Sequence, residues 1–172
     1  MTEAITQKYL REAFTYIDGE LYWNERPISH FENAWFMRVF NSRQAGKLAG
    51  HKSKDGYTKI KVQEKIYRMH RLVFTYHFGY EPTVIDHIDG NQRNNRIENL
   101  RECTTRQNSW NLKKKHGSVC KSGHRNVYVK AGKYQVSIGK DTKTYYFGTF
   151  ERLEDAVDMA KQMRQTLYGE FA

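Results

Sequence analysis

Asp86 and His87 stand side by side in VIDHIDGNQRNNRIENLRECTTRQN, the stretch 84–108, and Asn99 and Asn108 follow at intervals of twelve and nine residues. An aspartate carboxylate and an asparagine carbonyl are both hard oxygen donors. They suit Mg²⁺, which takes few protein ligands and fills its other positions with water or phosphate. A neutral histidine beside them accepts a proton from water near pH 7. A metal on the leaving oxygen and a base on the attacking water are the minimal kit for hydrolysing a phosphodiester. The same stretch carries seven amide side chains, on Asn91, Gln92, Asn94, Asn95, Asn99, Gln107 and Asn108. A polar loop around a satisfied histidine is the plainer reading, and spacing alone leaves both open.

The elements that must hold these residues are short. Residues 83–87 read as a brief strand ending in the Asp-His pair, and the polar run 89–95 reads as a loop. Ile97 and Leu100 bracket Asn99 in a second short strand or turn. Thr104 opens a helix, because a hydroxyl followed three residues later by the Gln107 amide makes a capping box. Strand, loop, strand and helix can bring Asp86, His87 and Asn108 to one point. Upstream, 70–78 reads as a helix with Leu72, Val73 and Tyr76 on one face and Gly79 at its end. Asp18-Gly19 suits a type I′ turn inside an aromatic-rich hairpin at 14–23. Asp55-Gly56 precedes an alternating strand, with Thr58, Ile60 and Val62 on one face and Tyr57, Lys59 and Lys61 on the other. Gln63-Glu64 closes the next hairpin into 65–69. Residues 32–40 fit a short helix or an irregular insert equally well.

These residues resemble the HNH nuclease motif, in the variant of phage HNH homing endonucleases whose last position is Asn rather than His. HRLV at 70–73, DHIDGN at 86–91 and NRIENLRECTTRQN at 95–108 fit the same family. The resemblance runs from residue 10 to residue 112 and is densest over 66–112. It implies a ββα-metal fold with Asp86 and Asn108 on the metal and His87 as general base. It also implies that Asn99 holds the loop and orients the histidine, while Asn94 and Asn95 satisfy loop backbone. Arg71 is expected beside the site, pairing with a DNA phosphate or capping a carboxylate. The cofactor implied is a single Mg²⁺, with Mn²⁺ or another divalent cation as the alternative.

The chain has 172 residues, and 38% of them are hydrophobic, so any core is modest. The net charge of +10 favours a polyanionic partner. Half of that charge falls in residues 113–126, KKKHGSVCKSGHRN, which hold five cations and no anion. This run reads as a flexible basic linker, and Lys113, Lys114 and Lys115 are expected to track phosphates. No stretch reaches the length of about 18 apolar residues that spans a membrane. MTEAITQKYL lacks the apolar core of a signal peptide, so a cytoplasmic location is expected, the host cell's if the chain is phage-encoded. Cys103, His116, Cys120 and His124 match no standard zinc-finger spacing, and buried or idle thiols are expected instead.

Residues 126–130, 133–138 and 143–147 form three consecutive strand patterns, followed by a helix. Leu153, Ala156, Val157, Ala160, Met163 and Leu167 recur on that helix at helical spacing. Val127, Val129, Tyr134, Val136, Ile138, Tyr145 and Phe147 should face inward. Tyr128, Lys130, Gln135, Ser137, Thr144 and Tyr146 should face out, a composition suited to a DNA groove. The element order, FGTF at 147–150 and YGEFA at 168–172 resemble the AP2 (ERF-type) DNA-binding domain, whose three-stranded sheet reads the major groove. Tyr128 and Gly139 stand where that family commonly has Arg, so its base contacts do not transfer.

The expected fold is therefore α+β, in four parts. A β-rich region at 1–66 supports an HNH nuclease core at 67–112. A basic linker at 113–126 leads to an AP2-like domain at 127–172. The expected function is metal-dependent cleavage of double-stranded DNA, as nicks if the chain is a monomer. A dimer would be one route to a double-strand break. The alternatives are a non-catalytic DNA-binding regulator that keeps the fold and a nucleic-acid packaging protein.

Overall fold

A computed structural model describes residues 5–111 and 121–172. Lys113, Lys114, Lys115, His116 and Cys120 lie outside the described residues. The chain forms two compact units, Met1–Cys103 and Thr104–Ala172. Among the described residues, no helix is long and apolar enough to cross a membrane.

The first unit opens with helix α1 (Gln7–Ala13), capped by the Thr6 hydroxyl, which accepts from the Tyr9 N–H at 3.2 Å. Gln7 Nε2 donates to the carbonyls of Tyr76 and His77, both at 3.1 Å, and so ties α1 to the end of another helix. Strands β1 (Phe14–Ile17) and β2 (Glu20–Trp23) pair as the expected hairpin. Asp18 and Gly19 both take positive φ, +50° and +90°, as a type I′ turn requires.

The undecided insert is a helix, α2 (Ala34–Gln44), whose first N–H groups are capped by Asn33. None of its residues is buried, so no apolar stripe marked it in the sequence. What anchors the segment before it is Arg26. Its guanidinium carbon lies 4.6–5.6 Å from the ring centroids of Tyr9, Trp23, Phe31 and Phe40.

Strands β3 (His51–Lys52), β4 (Thr58–Val62) and β5 (Lys65–Arg68) form an antiparallel sheet in that order. Ile60 and Val62 are buried, as their alternation demanded. Helix α3 (Met69–Phe78) follows and ends at Gly79 in the left-handed conformation, φ +82°. Leu72, Val73 and Phe74 bury its inner face with Leu10, Phe14, Leu21 and Ile60. Two short antiparallel strands, β6 (Ile85–His87) and β7 (Leu100–Glu102), complete the unit, and Ile85 and Leu100 join the same core.

The second unit contains α4 (Thr105–Asn111), strands β8 (Val127–Lys130), β9 (Lys133–Lys140) and β10 (Lys143–Phe150), and helix α5 (Leu153–Tyr168). The sheet is antiparallel with β9 in the centre. Val127 and Val136 pack against Ala156 and Ala160 of α5, with Tyr134, Phe147 and Phe150 around them. Two residues keep the inward parity but are not covered. Val129 and Tyr145 are 41% and 39% exposed. Val129 sits near the end of an edge strand and is not among the residues packed beneath α5. Beyond Tyr145, a bulge between Tyr146 and Gly148 resets β10, so that Phe150 pairs with Tyr134.

Candidate active site

The β6–β7 ladder sets Asp86 directly opposite Arg101 and His87 opposite Leu100. Asp86 and His87 are 5% and 6% exposed, an unusual depth for a charged group. Arg101 balances that charge: its Nε and Nη2 donate to Asp86 Oδ2 at 2.9 and 2.7 Å. Arg101 was not singled out in the sequence. Its role follows only from strand register, which no local pattern announced.

His87 is held by Asn95, which is 3% exposed. The His87 Nε2 and Asn95 Oδ1 atoms lie 3.2 Å apart. Asn95 Nδ2 lies 3.5 Å from the Arg93 carbonyl, with the amide oxygen toward the ring. An amide oxygen only accepts, so Nε2 carries the proton and Nδ1 carries the lone pair of the neutral ring. Burial lowers the His87 pKa from its ordinary value, outweighing the Asn95, Asp89 and Asp86 effects that raise it. His87 is therefore neutral, and able to accept a proton, at pH 7.

A second histidine backs the first. The His70 and His87 ring centroids are 5.0 Å apart, edge to face, and Tyr57 lies 5.2 Å from His70. Burial first, then the neighbouring His87, Arg71 and Arg68 charges, lower the His70 pKa to about 3.

Asn99 serves the loop rather than the ring. It accepts from the Asp89 N–H at 3.0 Å and donates to Asp89 Oδ1 at 3.0 Å and to the Asn94 carbonyl at 2.8 Å. Asn94 Nδ2 adds a bond to Asp89 Oδ2 at 2.7 Å. Burial pushes the Asp89 carboxyl up, but bonds from Asn94, the Asn91 N–H and Asn99 hold it below the usual carboxylate range. Asn99 thus bonds Asp89 and the Asn94 backbone, and Asn95 meets the His87 ring. By residue type and position alone, Asn95 is one loop amide among several.

Asn108 lies on α4 in the second unit and is half-buried. The capping box is present. Thr104 N–H donates to Gln107 Oε1 at 2.8 Å, and Gln107 N–H to the Thr104 hydroxyl at 3.2 Å. Trp110 stacks on Tyr168 with centroids 5.1 Å apart and planes 10° apart. Arg106 Nη1 meets Asp141 Oδ1 at 2.9 Å. These contacts are why α4 packs with the sheet and α5.

Three comparisons bear on what this arrangement is. A family described as HNH endonuclease matches residues 67–110. An uncharacterized HNH endonuclease of Acanthamoeba polyphaga mimivirus is 34% identical over 108 residues, 61% of this chain and 55% of that protein. Protein 3.8 of Escherichia phage T7 is 30% identical over 88 residues, 51% of this chain and 72% of that protein. The chain belongs to the HNH endonuclease family. It spans little more than half the length of the mimiviral relative, at 55%. No solved structure matches it.

HNH nucleases generally use a divalent metal ion. Among the described residues of this HNH chain, no group of three or more His, Cys, Asp and Glu is placed to hold one. The donor chemistry still fits. Asp86 is a buried hard carboxylate, and an ion that keeps several waters asks little more of the protein than one or two oxygens.

The remaining expected residues are placed as follows. Arg71 Nε binds the Glu81 carboxylate, and its Nη2 donates to the Pro82 carbonyl at 2.6 Å. On the C-terminal sheet, Tyr128 pairs with Gln135, Ser137 with Tyr146, and Thr144 with Gly139. Their parity puts Tyr128, Lys130, Gln135, Ser137, Thr144 and Tyr146 on the face away from α5. Tyr128 and Tyr146 are 45% and 59% exposed there.

Proposed function

We propose that the chain is a metal-dependent DNA endonuclease of the HNH homing type that nicks double-stranded DNA at a recognised site. The observation that carries this reading is the buried His87 ring with its Nε2 3.2 Å from Asn95 Oδ1, and its pKa lowered by burial suits a neutral ring that takes a proton at Nδ1. Beside it in sequence stands the one carboxylate the motif needs, Asp86.

In this reading Asp86 is the carboxylate ligand, and Asn108 is the amide ligand that the motif implies. A divalent ion, Mg²⁺ by donor type, supplies charge stabilisation at the leaving oxygen. His87 takes the proton of the attacking water at Nδ1. The new P–O bond forms as the P–O3′ bond breaks, leaving a 5′-phosphate and a 3′-hydroxyl that takes its proton from solvent. Asn99 keeps the loop closed around Asp89 so that the ring stays in place.

The C-terminal unit supplies DNA contact in this reading. Its AP2-like element order and its outward Tyr, Lys, Gln, Ser and Thr residues support the assignment, together with the lysines at 113–115. Parts at 1–66, 67–112, 113–126 and 127–172 remain the proposed functional division. One active site per chain makes nicking the expected outcome for a monomer. The assay is conversion of supercoiled plasmid to open circles with Mg²⁺. Activity that survives full chelation would refute metal dependence, and absence of any cleavage would favour the DNA-binding regulator.

A further inference from the structure

The match to the HNH family begins at residue 67, yet the loop that holds Asn95 leans on a hairpin at 14–23. Three observations join them. The Tyr16 hydroxyl accepts the Ile97 N–H at 3.0 Å, across 81 residues of sequence. Arg96 Nη2 lies 3.5 Å from Asp18 Oδ1. At the hairpin tip, a Cβ on Gly19 would stand 2.7 Å from the Arg96 backbone nitrogen and 2.9 Å from the Asn95 carbonyl carbon. Real Cβ atoms do not approach backbone so closely, so the tip touches the loop backbone itself. The hairpin therefore grips residues 95–97 by backbone contact, hydroxyl and charge, and residue 95 is the one whose amide meets His87.

We propose that the β1–β2 hairpin is part of the catalytic apparatus. Tyr16 and Gly19 act as positioning residues that fix Asn95, and Asn95 fixes the His87 ring and its tautomer. The inference deepens the proposed function and rests on His87 being the base. The hairpin's tip and its inner tyrosine both converge on the last residue of the polar loop and the two that follow it. Tyr16 is itself placed by the ladder, paired with Leu21, which is fully buried. A buried partner leaves the tyrosine little freedom to move off the loop.

The test uses the full chain. Tyr16→Phe keeps the ring and removes only the hydroxyl. Asn95→Leu removes the amide at similar volume, and Asn95→Gln offers the same amide one methylene out. Plasmid nicking is resolved into kcat and KM, and the His87 tautomer is read from ring ¹⁵N shifts in chain labelled at histidine. Wild type should show a protonated Nε2. Tyr16→Phe should lower kcat about tenfold with KM unchanged, the range expected when a reacting group is slightly misplaced. Asn95→Leu should lower kcat further and mix the tautomers, and Asn95→Gln should recover part of both.

Wild-type kcat in Tyr16→Phe with the tautomer unmoved in Asn95→Leu would overturn the proposal. If a variant unfolds, the tautomer in the remaining folded variant decides. A fixed Nε2–H tautomer lost in Asn95→Leu, together with full nicking by His87→Ala, would instead uphold the positioning and refute the base.

Discussion

Arg101 stands directly across the β6–β7 ladder from Asp86 and gives two N–H groups to a single carboxylate oxygen, at 2.9 and 2.7 Å. Both side chains are largely out of water, at 12% and 5% exposure. Removing one member of such a pair leaves the other charge in a poor solvent. Arg101→Leu should therefore cost about 3 kcal/mol of stability, read from the urea midpoint. Arg101→Lys, which keeps charge but loses the fork, should cost roughly half as much. Equal stability of all three chains would show that Asp86 is balanced by other groups.

His70 makes stability depend on pH. Its folded pKa is about 3, below the unfolded value of 6.5, so between these values the unfolded chain binds the extra proton. Its stabilising contribution is complete above pH 6.5 and is lost as pH falls toward 3. By pH 5 the loss should reach roughly 2 kcal/mol. Urea denaturation at pH 7 and pH 5 measures it, and His70→Asn should flatten the difference. An unchanged slope in that variant would assign the pH dependence elsewhere.

Trp110 decides where α4 belongs. A seven-residue helix has little stability of its own in water, so its shape comes from what it packs on. Trp110→Ala removes the stack on Tyr168 and the ring beneath the Lys140 ammonium. The second unit should lose about 3 kcal/mol, followed by its thermal midpoint. An unshifted midpoint would mean that α4 docks by other contacts.

The outward sheet face can be tested by salt. Lys130→Ala should weaken DNA binding and reduce the slope of log affinity against log salt by about 1. Tyr146→Ala removes an exposed ring without charge and should weaken binding with the slope unchanged. If neither variant alters affinity, the DNA-contact role of this face fails.

Much of this was legible in the sequence, and the reasons are physical. The hairpin turns at Asp18-Gly19 and Gln63-Glu64 and the capping box at Thr104 are local, so their chemistry is written in adjacent residues. The core faces of β4 and α3 showed through period and spacing. α2 did not, because a helix without a buried face has no stripe to read. α1 went unread too, being only seven residues long. Within the site, the Asp86-His87 pair and Asn99 stood out by type and spacing. Arg101 and Tyr16 did not, because their partners are set by strand register and by a contact spanning 81 residues, and Asn95 is one amide among seven until the folded loop brings it to His87. Val129 and Tyr145 keep the inward parity, paired with Tyr134 and Ile138, yet stay exposed, because alternation gives the face and not how far α5 covers it.

The most direct measurement of the central claim is nicking of supercoiled plasmid by wild type and His87→Ala, with Mg²⁺ and with chelator, alongside DNA affinity of both in chelator. The account predicts loss of nicking by at least about a hundredfold in His87→Ala, with DNA affinity unchanged, since a general base contributes on that scale. Nicking by His87→Ala at the wild-type rate would contradict it.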